Sequence, residues 1–139
     1  MISRCFFFSL ILLPLLIVAK IPDTQIPHNI KRYFEMNRLG PELISAEIIN
    51  HHQSGRTLKI KIVARRSMSG KDLIFAFAAA AAVANFAEKP IELLWVDMDV
   101  NFKGSETTMA IAPANCTIDA IILKNCETEK WWQDCLQFP

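Results

Sequence analysis

From Leu73 to Ala87 the chain is apolar at every position except Asn85, rich in alanine, and closed by Pro90. Alanine is the strongest helix former, and neither glycine nor proline interrupts the run, so the spacing predicts a helix with Ser69 as its N-cap. At about 1.5 Å per residue such a run falls short of the roughly 30 Å hydrocarbon core of a bilayer. A helix that is apolar all round and too short to span must be buried or must meet a partner. Phe75, Ala79, Ala82 and Phe86 are the expected docking positions for a protein partner or a second copy. The competing expectation is that the C-terminal tail covers this face.

The flanking segments alternate at period two, the mark of half-buried strands. Ile44, Ala46 and Ile48 form one apolar set and Leu58, Ile60, Ile62 and Ala64 another, with Ser45, Glu47, Lys59, Lys61 and Arg65 between them. Both sets are even-numbered, so paired residue numbers must sum to an even value if both apolar faces are to share one side. A three-residue loop, Gln53–Gly55, meets this condition. It pairs His52 with Arg56 and Glu47 with Lys61, and places Gly55 at a left-handed position. After the helix, Leu94, Val96, Met98, Val100 and Phe102 form an inward set opposite Thr107, Met109 and Ile111. That pairing has odd sums and predicts a two-residue Gly104-Ser105 loop with Lys103 facing Glu106. The order ββαββ followed by a short helical tail predicts an α+β domain: an antiparallel sheet of two hairpins with an Ala-rich helix between them.

The chain has 139 residues, 52% of them hydrophobic, enough for one core and too few for two. Its 15 basic and 14 acidic residues leave no broad positive field, which argues against a nucleic-acid partner. The charge is unevenly placed: Lys20–Lys71 carries 10 basic and 4 acidic residues, and Asp72–Pro139 carries 4 and 10. Opposite halves of one domain neutralise each other across a sheet. A sharper reading makes Lys31, Arg32 and Arg38 a basic surface for anionic headgroups. Residues 1–19 read as a secretory leader, with Arg4 ahead of the apolar run Cys5–Ala19. Ile17 is large for a cleavage site, so a retained membrane anchor is the alternative, and contact with a membrane is expected only through this segment. Either way the domain is secreted or periplasmic, or anchored facing away from the cytosol. Residues 20–42, with Pro22, Pro27 and Pro41, read as a tether bearing a short helix from Asn29; residues 43–139 form the domain.

An oxidising compartment favours one disulfide among Cys116, Cys126 and Cys135. With Thr128–Leu136 helical, Cys126 and Cys135 sit about 13 Å apart by helix rise, beyond bridging reach, which makes Cys116 the shared partner. Cys116–Cys135 is the narrowly preferred pair and Cys116–Cys126 the alternative. Trp131 and Trp132 diverge by about 100° on that helix, so one enters the core and one stays partly exposed. Together with Trp95 they complete the expected interaction surface.

Catalytic chemistry finds few candidates. His51 and His52 are adjacent and point to opposite faces of a strand, which argues against a shared metal ion. Asp97 and Asp99 share a face, but Lys59, Lys61 and Arg65 lie on the equivalent face of another strand, so cross-sheet ion pairs account for both sets. Asn115-Cys116-Thr117 fits a glycosylation pattern and conflicts with a disulfide at Cys116, so we read it as coincidence. The sequence is therefore expected to encode an exported, non-catalytic interaction domain without cofactor or metal. The alternatives are a small envelope enzyme using His51 or His52 with Asp97 and Asp99, and a membrane-tethered subunit of an envelope complex.

Overall fold

Lys59 and Lys61 separate Leu58, Ile60 and Ile62, and the strand built on this alternation buries all three apolar side chains completely. The computed structural model describes residues 20–51, 55–101 and 105–139; the leader expected over residues 1–19 lies outside them. Helix α1 (Ile26–Met36) precedes strands β1 (Glu42–His51) and β2 (Gly55–Ala64). Helix α2 (Ser69–Asn85) then crosses to β3 (Leu93–Asn101) and β4 (Ser105–Pro113). A short helix α3 (Ala114–Thr117), a π-helical turn (Ile118–Ile122) and helix α4 (Thr128–Asp134) complete the chain. The protein is thus an α+β fold, and the stretch after β4 is helical through Ile122.

The four strands lie in the order β1-β2-β3-β4. Both hairpins are antiparallel, and the junction between them, β2 against β3, is parallel. The connection explains this. The 17-residue helix α2 carries the chain back along the sheet, so β3 starts beside the start of β2.

In the first hairpin the parity rule holds and the register sits two residues from the expected one. Asn50 pairs with Arg56 and Glu47 faces Lys59 rather than Lys61. Gly55 has φ 72°, the left-handed conformation assigned to it from sequence. The expected His52–Arg56 pair and the Gln53–Gly55 loop fall largely on residues 52–54, outside the described residues. Ile44 is a correction: the ladder slips between Leu43 and Ser45, so Ile44 is the extra residue of a bulge and is 48% exposed. Leu43, opposite Ile62, takes over its inward position.

The second hairpin overturns the expected parity. Val96 pairs with Ala110 and Leu94 with Ala112, and Asn101 faces Ser105, so the sums are even. Ala110 and Ala112 are fully buried, whereas Thr107, Met109 and Ile111 stand opposite Asp99, Asp97 and Trp95 on the other face. Glu106 lies opposite Val100, not Lys103, which is outside the described residues. The cause is space. Positions 109–112 are apolar on both parities, and the inner face, which is close-packed with the core, takes the smaller set, Ala110 and Ala112.

Helix α2 is apolar all round because protein surrounds most of it. The sheet lies beneath it, α1 on one flank and the α3–π turn on the other. By length and composition the stretch Arg66–Asn85 suffices to cross a membrane. Within it Ala76, Phe77, Ala79, Ala80 and Ala81 are fully buried in the common core. Ile26, Ile30 and Phe34 of α1 belong to that core too. The segment read as a tether therefore packs on the domain, through an apolar stripe at i, i+4 and i+8. Its helix starts at Ile26, and Asn29 lies inside it, donating from its side-chain amide to Gln25 O at 2.8 Å.

Ser69 is the first helical residue of α2 and not its cap. Asp72, one turn in and 1% exposed, does the fastening instead. Its carboxylate accepts from Arg65 N–H at 2.8 Å and from the Arg65 guanidinium at 2.6 and 3.3 Å. Arg65 in turn donates to Leu39 O at 2.7 Å, which ties the β2–α2 corner to the α1–β1 loop. An acid in the first turn is also favoured by the helix dipole. Asp72→Asn is expected to lower stability by about 2 kcal/mol, because a charged acceptor of several N–H groups is replaced by a neutral amide. Urea unfolding checks this, with the exposed neighbour Lys71→Gln as the control expected to change little. Equal midpoints for the two variants would contradict the clamp.

Candidate functional site

The chemistry-bearing residues singled out from sequence fall in three places. The first is the face of the sheet away from the helices. There Lys59 Nζ lies 3.6 Å from Asp97 Oδ2 and 4.9 Å from the centre of the Trp95 ring, while Trp95 Nε1–H donates to Asp97 Oδ1 at 2.8 Å. One step along, Lys61 Nζ lies 3.6 Å from Asp99 Oδ2 and Thr107 Oγ1–H donates to Asp99 Oδ1 at 2.6 Å. Both carboxylates therefore have a cation and a neutral donor of their own. Half-exposed pairs of this kind contribute under about 1 kcal/mol each to stability. Register also separates the proposed acid and base. His51 is level with Gly55, and Asp97 with Lys61, a spacing of about 20 Å along the strands. His52 lies outside the described residues. Among the described residues no three His, Cys, Asp or Glu side chains gather as a metal site.

The second place is the tail. Cys116 and Cys135 form the disulfide, with Cα atoms 6.5 Å apart, and Cys126 is a free, half-buried thiol. This is the preferred pairing from sequence, and a structural disulfide of this kind belongs to an oxidising, extracytoplasmic setting. Trp131 is fully buried and Trp132 half-buried, as their divergence requires. Trp131 packs edge-on to Phe77 at 5.2 Å, and its Nε1–H donates to Thr117 Oγ1 at 2.9 Å; that hydroxyl donates onward to Pro113 O. The threonine of the Asn115-Cys116-Thr117 pattern thus has a role inside the core. Trp132 turns instead to Phe138, 5.9 Å between ring centres. The last residues pair with the edge of β4, Gln137 and Ile111 exchanging both backbone hydrogen bonds.

The third place is the helical surface. A groove of about 320 Å³ runs between α1 and the C-terminal half of α2, lined by Ile21, Asn29, Arg32, Tyr33, Met36, Ala82, Val83 and Phe86. Of the positions expected on one interaction surface, only Ala82 and Phe86 meet here. Phe75 is half-buried against the rings of Tyr33 and Phe34, Ala79 is fully buried, Trp95 lies on the opposite side of the sheet, and Trp131 is inside. The α1 contribution was missed because residues 20–42 were read as a tether. The signal was present: Asn29, Arg32, Tyr33 and Met36 follow i, i+3, i+4, i+7 spacing, a second helical face beside the buried one. A second, larger hollow of about 460 Å³ lies between α1 and β1, over Phe34, Pro41, Leu43 and Ile44 with Lys31 and Glu35 at its rim.

One further contact fixes the start of the domain. The Arg56 guanidinium donates to both carboxylate oxygens of Asp23, at 2.9 and 2.6 Å, and its Nε–H to Pro90 O at 3.1 Å. Hydrogen bonding from Arg56 holds the Asp23 carboxyl below its usual value of 3.8, against the opposing effect of burial. A carboxyl depressed in the folded state stabilises above its unfolded pKa, and the gain is lost as pH falls through the folded value. Stability is therefore expected to decline below about pH 4, and the decline to shrink in Asp23→Asn by no more than about 1 kcal/mol, since the pair is partly exposed. Urea midpoints across the acid range measure it, and an unchanged acid limb in the variant would remove the assignment.

Comparison with protein-family models, with curated proteins and with solved structures finds no match to this chain.

Proposed function

We propose that the chain is an exported, non-catalytic domain, directed out of the cytosol by residues 1–19, that works by contact with another macromolecular surface. The observation that carries this reading is the groove between α1 and α2, where Met36 and Phe86, 76% and 45% exposed, stand beside Ala82. Large apolar side chains grouped at a concave site mark interaction surfaces more often than isolated ones do. The Cys116–Cys135 disulfide supports a site of action outside the cytosol. The acids that would serve an enzyme reading, Asp97 and Asp99, are held by Lys59, Lys61, Trp95 and Thr107.

A photo-crosslinking side chain placed at Met36 or Phe86 in the native host tests the proposal. Crosslinks to a protein, a second copy or a lipid at these positions, and none from Thr107 on the opposite face, are expected. Equal labelling at all three positions would sink it.

A further inference from the structure

The groove lies where the chain enters the domain. Ile21 N–H donates to Phe86 O at 2.6 Å and Ile21 O accepts from Glu88 N–H at 2.7 Å, so Ile21 is fastened alongside Ala87 at the end of α2. Ile21 is also a wall of the groove. No slack is left between the groove and the apolar run Cys5–Ala19, which ends two residues earlier. At about 3.5 Å per residue, a bilayer that takes up that run lies within roughly 7 Å of Ile21. The side of the domain turned toward it is the one carrying Ile21, Arg32, Met36 and Phe86.

The charge at this surface suits such a neighbour. Lys20 and Arg32 are exposed, and among the described residues neither has an ion-pair partner, whereas Lys31 is matched by Glu35 and Asp23 by Arg56. Glu88 is an acid at the same end and is followed by Lys89. Arg32 in the groove with exposed Met36 and Phe86, and Lys20 next in the chain to its wall residue Ile21, reproduce the pairing of an interfacial surface: apolar side chains that enter the headgroup boundary and cations that meet phosphate. Segment Lys20–Lys71, which supplies Lys20 and all of α1, is also the basic half of the chain.

We infer that residues 1–19 stay attached and that the α1–α2 groove seats directly on an anionic phospholipid bilayer, Met36 and Phe86 at the headgroup boundary and Lys20 and Arg32 on lipid phosphates. This rests on the contact reading and names the partner of the same groove. The side chains of the opposite sheet face, Trp95, Lys59 and Asp97 among them, then point away from the membrane.

The test uses the full chain in vesicles of phosphatidylglycerol and phosphatidylcholine, with a spin label on Met36→Cys in a Cys5→Ser, Cys126→Ser background. A label on Thr107→Cys is the reference. Collisions with a neutral, water-soluble nickel chelate are expected to fall about fivefold or more at position 36 relative to 107. Arg32→Gln is expected to weaken seating by about fivefold, the worth of one cation near an anionic surface. Pure phosphatidylcholine is expected to reduce the protection. The intact mass of protein recovered from native membranes is expected to include residues 1–19. Equal accessibility at 36 and 107 on anionic vesicles overturns the inference, as does a native chain beginning after Ala19. Protection of position 36 without lipid also overturns it, by assigning the groove to a second copy. Crosslinking from the groove to a protein alone, with the label open to water on vesicles, would leave the contact reading standing and remove the membrane.

Discussion

Trp131→Ala is expected to destabilise the fold by about 4 kcal/mol, and Trp132→Ala, one residue away, by less than half as much. Trp131 is fully buried between Phe77 of α2 and the α3–π turn, so truncation opens a large cavity under a helix that cannot collapse onto an already close-packed sheet. It also removes the N–H that the Thr117 hydroxyl accepts. Trp131→Phe separates the two effects. It retains most of the volume and leaves the Thr117 hydroxyl donating to Pro113 O, for a loss of about 1–2 kcal/mol. Urea unfolding monitored by near-ultraviolet circular dichroism ranks the three variants. Trp132→Ala as damaging as Trp131→Ala would mean that the tail packs differently.

Breaking the Cys116–Cys135 bridge has the next largest effect. The cysteines are 19 residues apart in sequence, and releasing a loop of that size from the unfolded chain is worth about 3 kcal/mol in the chain-entropy account. Cys116→Ser with Cys135→Ser, or reduction of the native chain, is expected to lower Tm by roughly 10 °C. Cys126→Ser, at the free thiol, is expected to change Tm little. A reduced protein with unaltered Tm would contradict the assignment. The bridge joins α3 to the end of α4, the helix that carries Trp131, so the double serine variant should also loosen the tail. Earlier loss of the near-ultraviolet signal than of the far-ultraviolet signal would report this.

The same residues show where sequence reasoning succeeds. Divergence of adjacent positions on a helix separates Trp131 from Trp132, and helix rise excludes Cys126–Cys135. Period-two alternation assigns the faces of β2, where Leu58, Ile60 and Ile62 are large and apolar and Lys59 and Lys61 between them are charged. Opposite charges on Lys59, Lys61, Asp97 and Asp99 announce their own pairing. In each case the physics is local: a dihedral, a rise per residue or a contrast between neighbours.

The misses share a different cause. In β4 both parities are apolar, so hydrophobicity selects neither, and the inner face takes the smaller pair, Ala110 and Ala112, with Met109 and Ile111 on the other side. Ile44 reads as inward until the bulge beside it is known, because a slip of one residue exchanges the faces. Ser69 has the chemistry of a cap, yet the buried carboxylate of Asp72 already serves Arg65 and the corner. The groove needs α1 and α2 side by side; the spacing of Asn29, Arg32, Tyr33 and Met36 marks a helical face, but not which element it will meet.

Chain order and residue type thus determined a ββαββ α+β domain, one alanine-rich helix, and Cys116 as one end of the disulfide, with Cys135 its preferred partner. Backbone geometry and side-chain contrast are properties a segment carries wherever it is placed. Tertiary structure alone decided the parallel seam between the hairpins, the inward face of β4, and the docking of α1 that creates the groove. Those depend on the volume left between elements far apart in the chain, and no single segment contains that quantity.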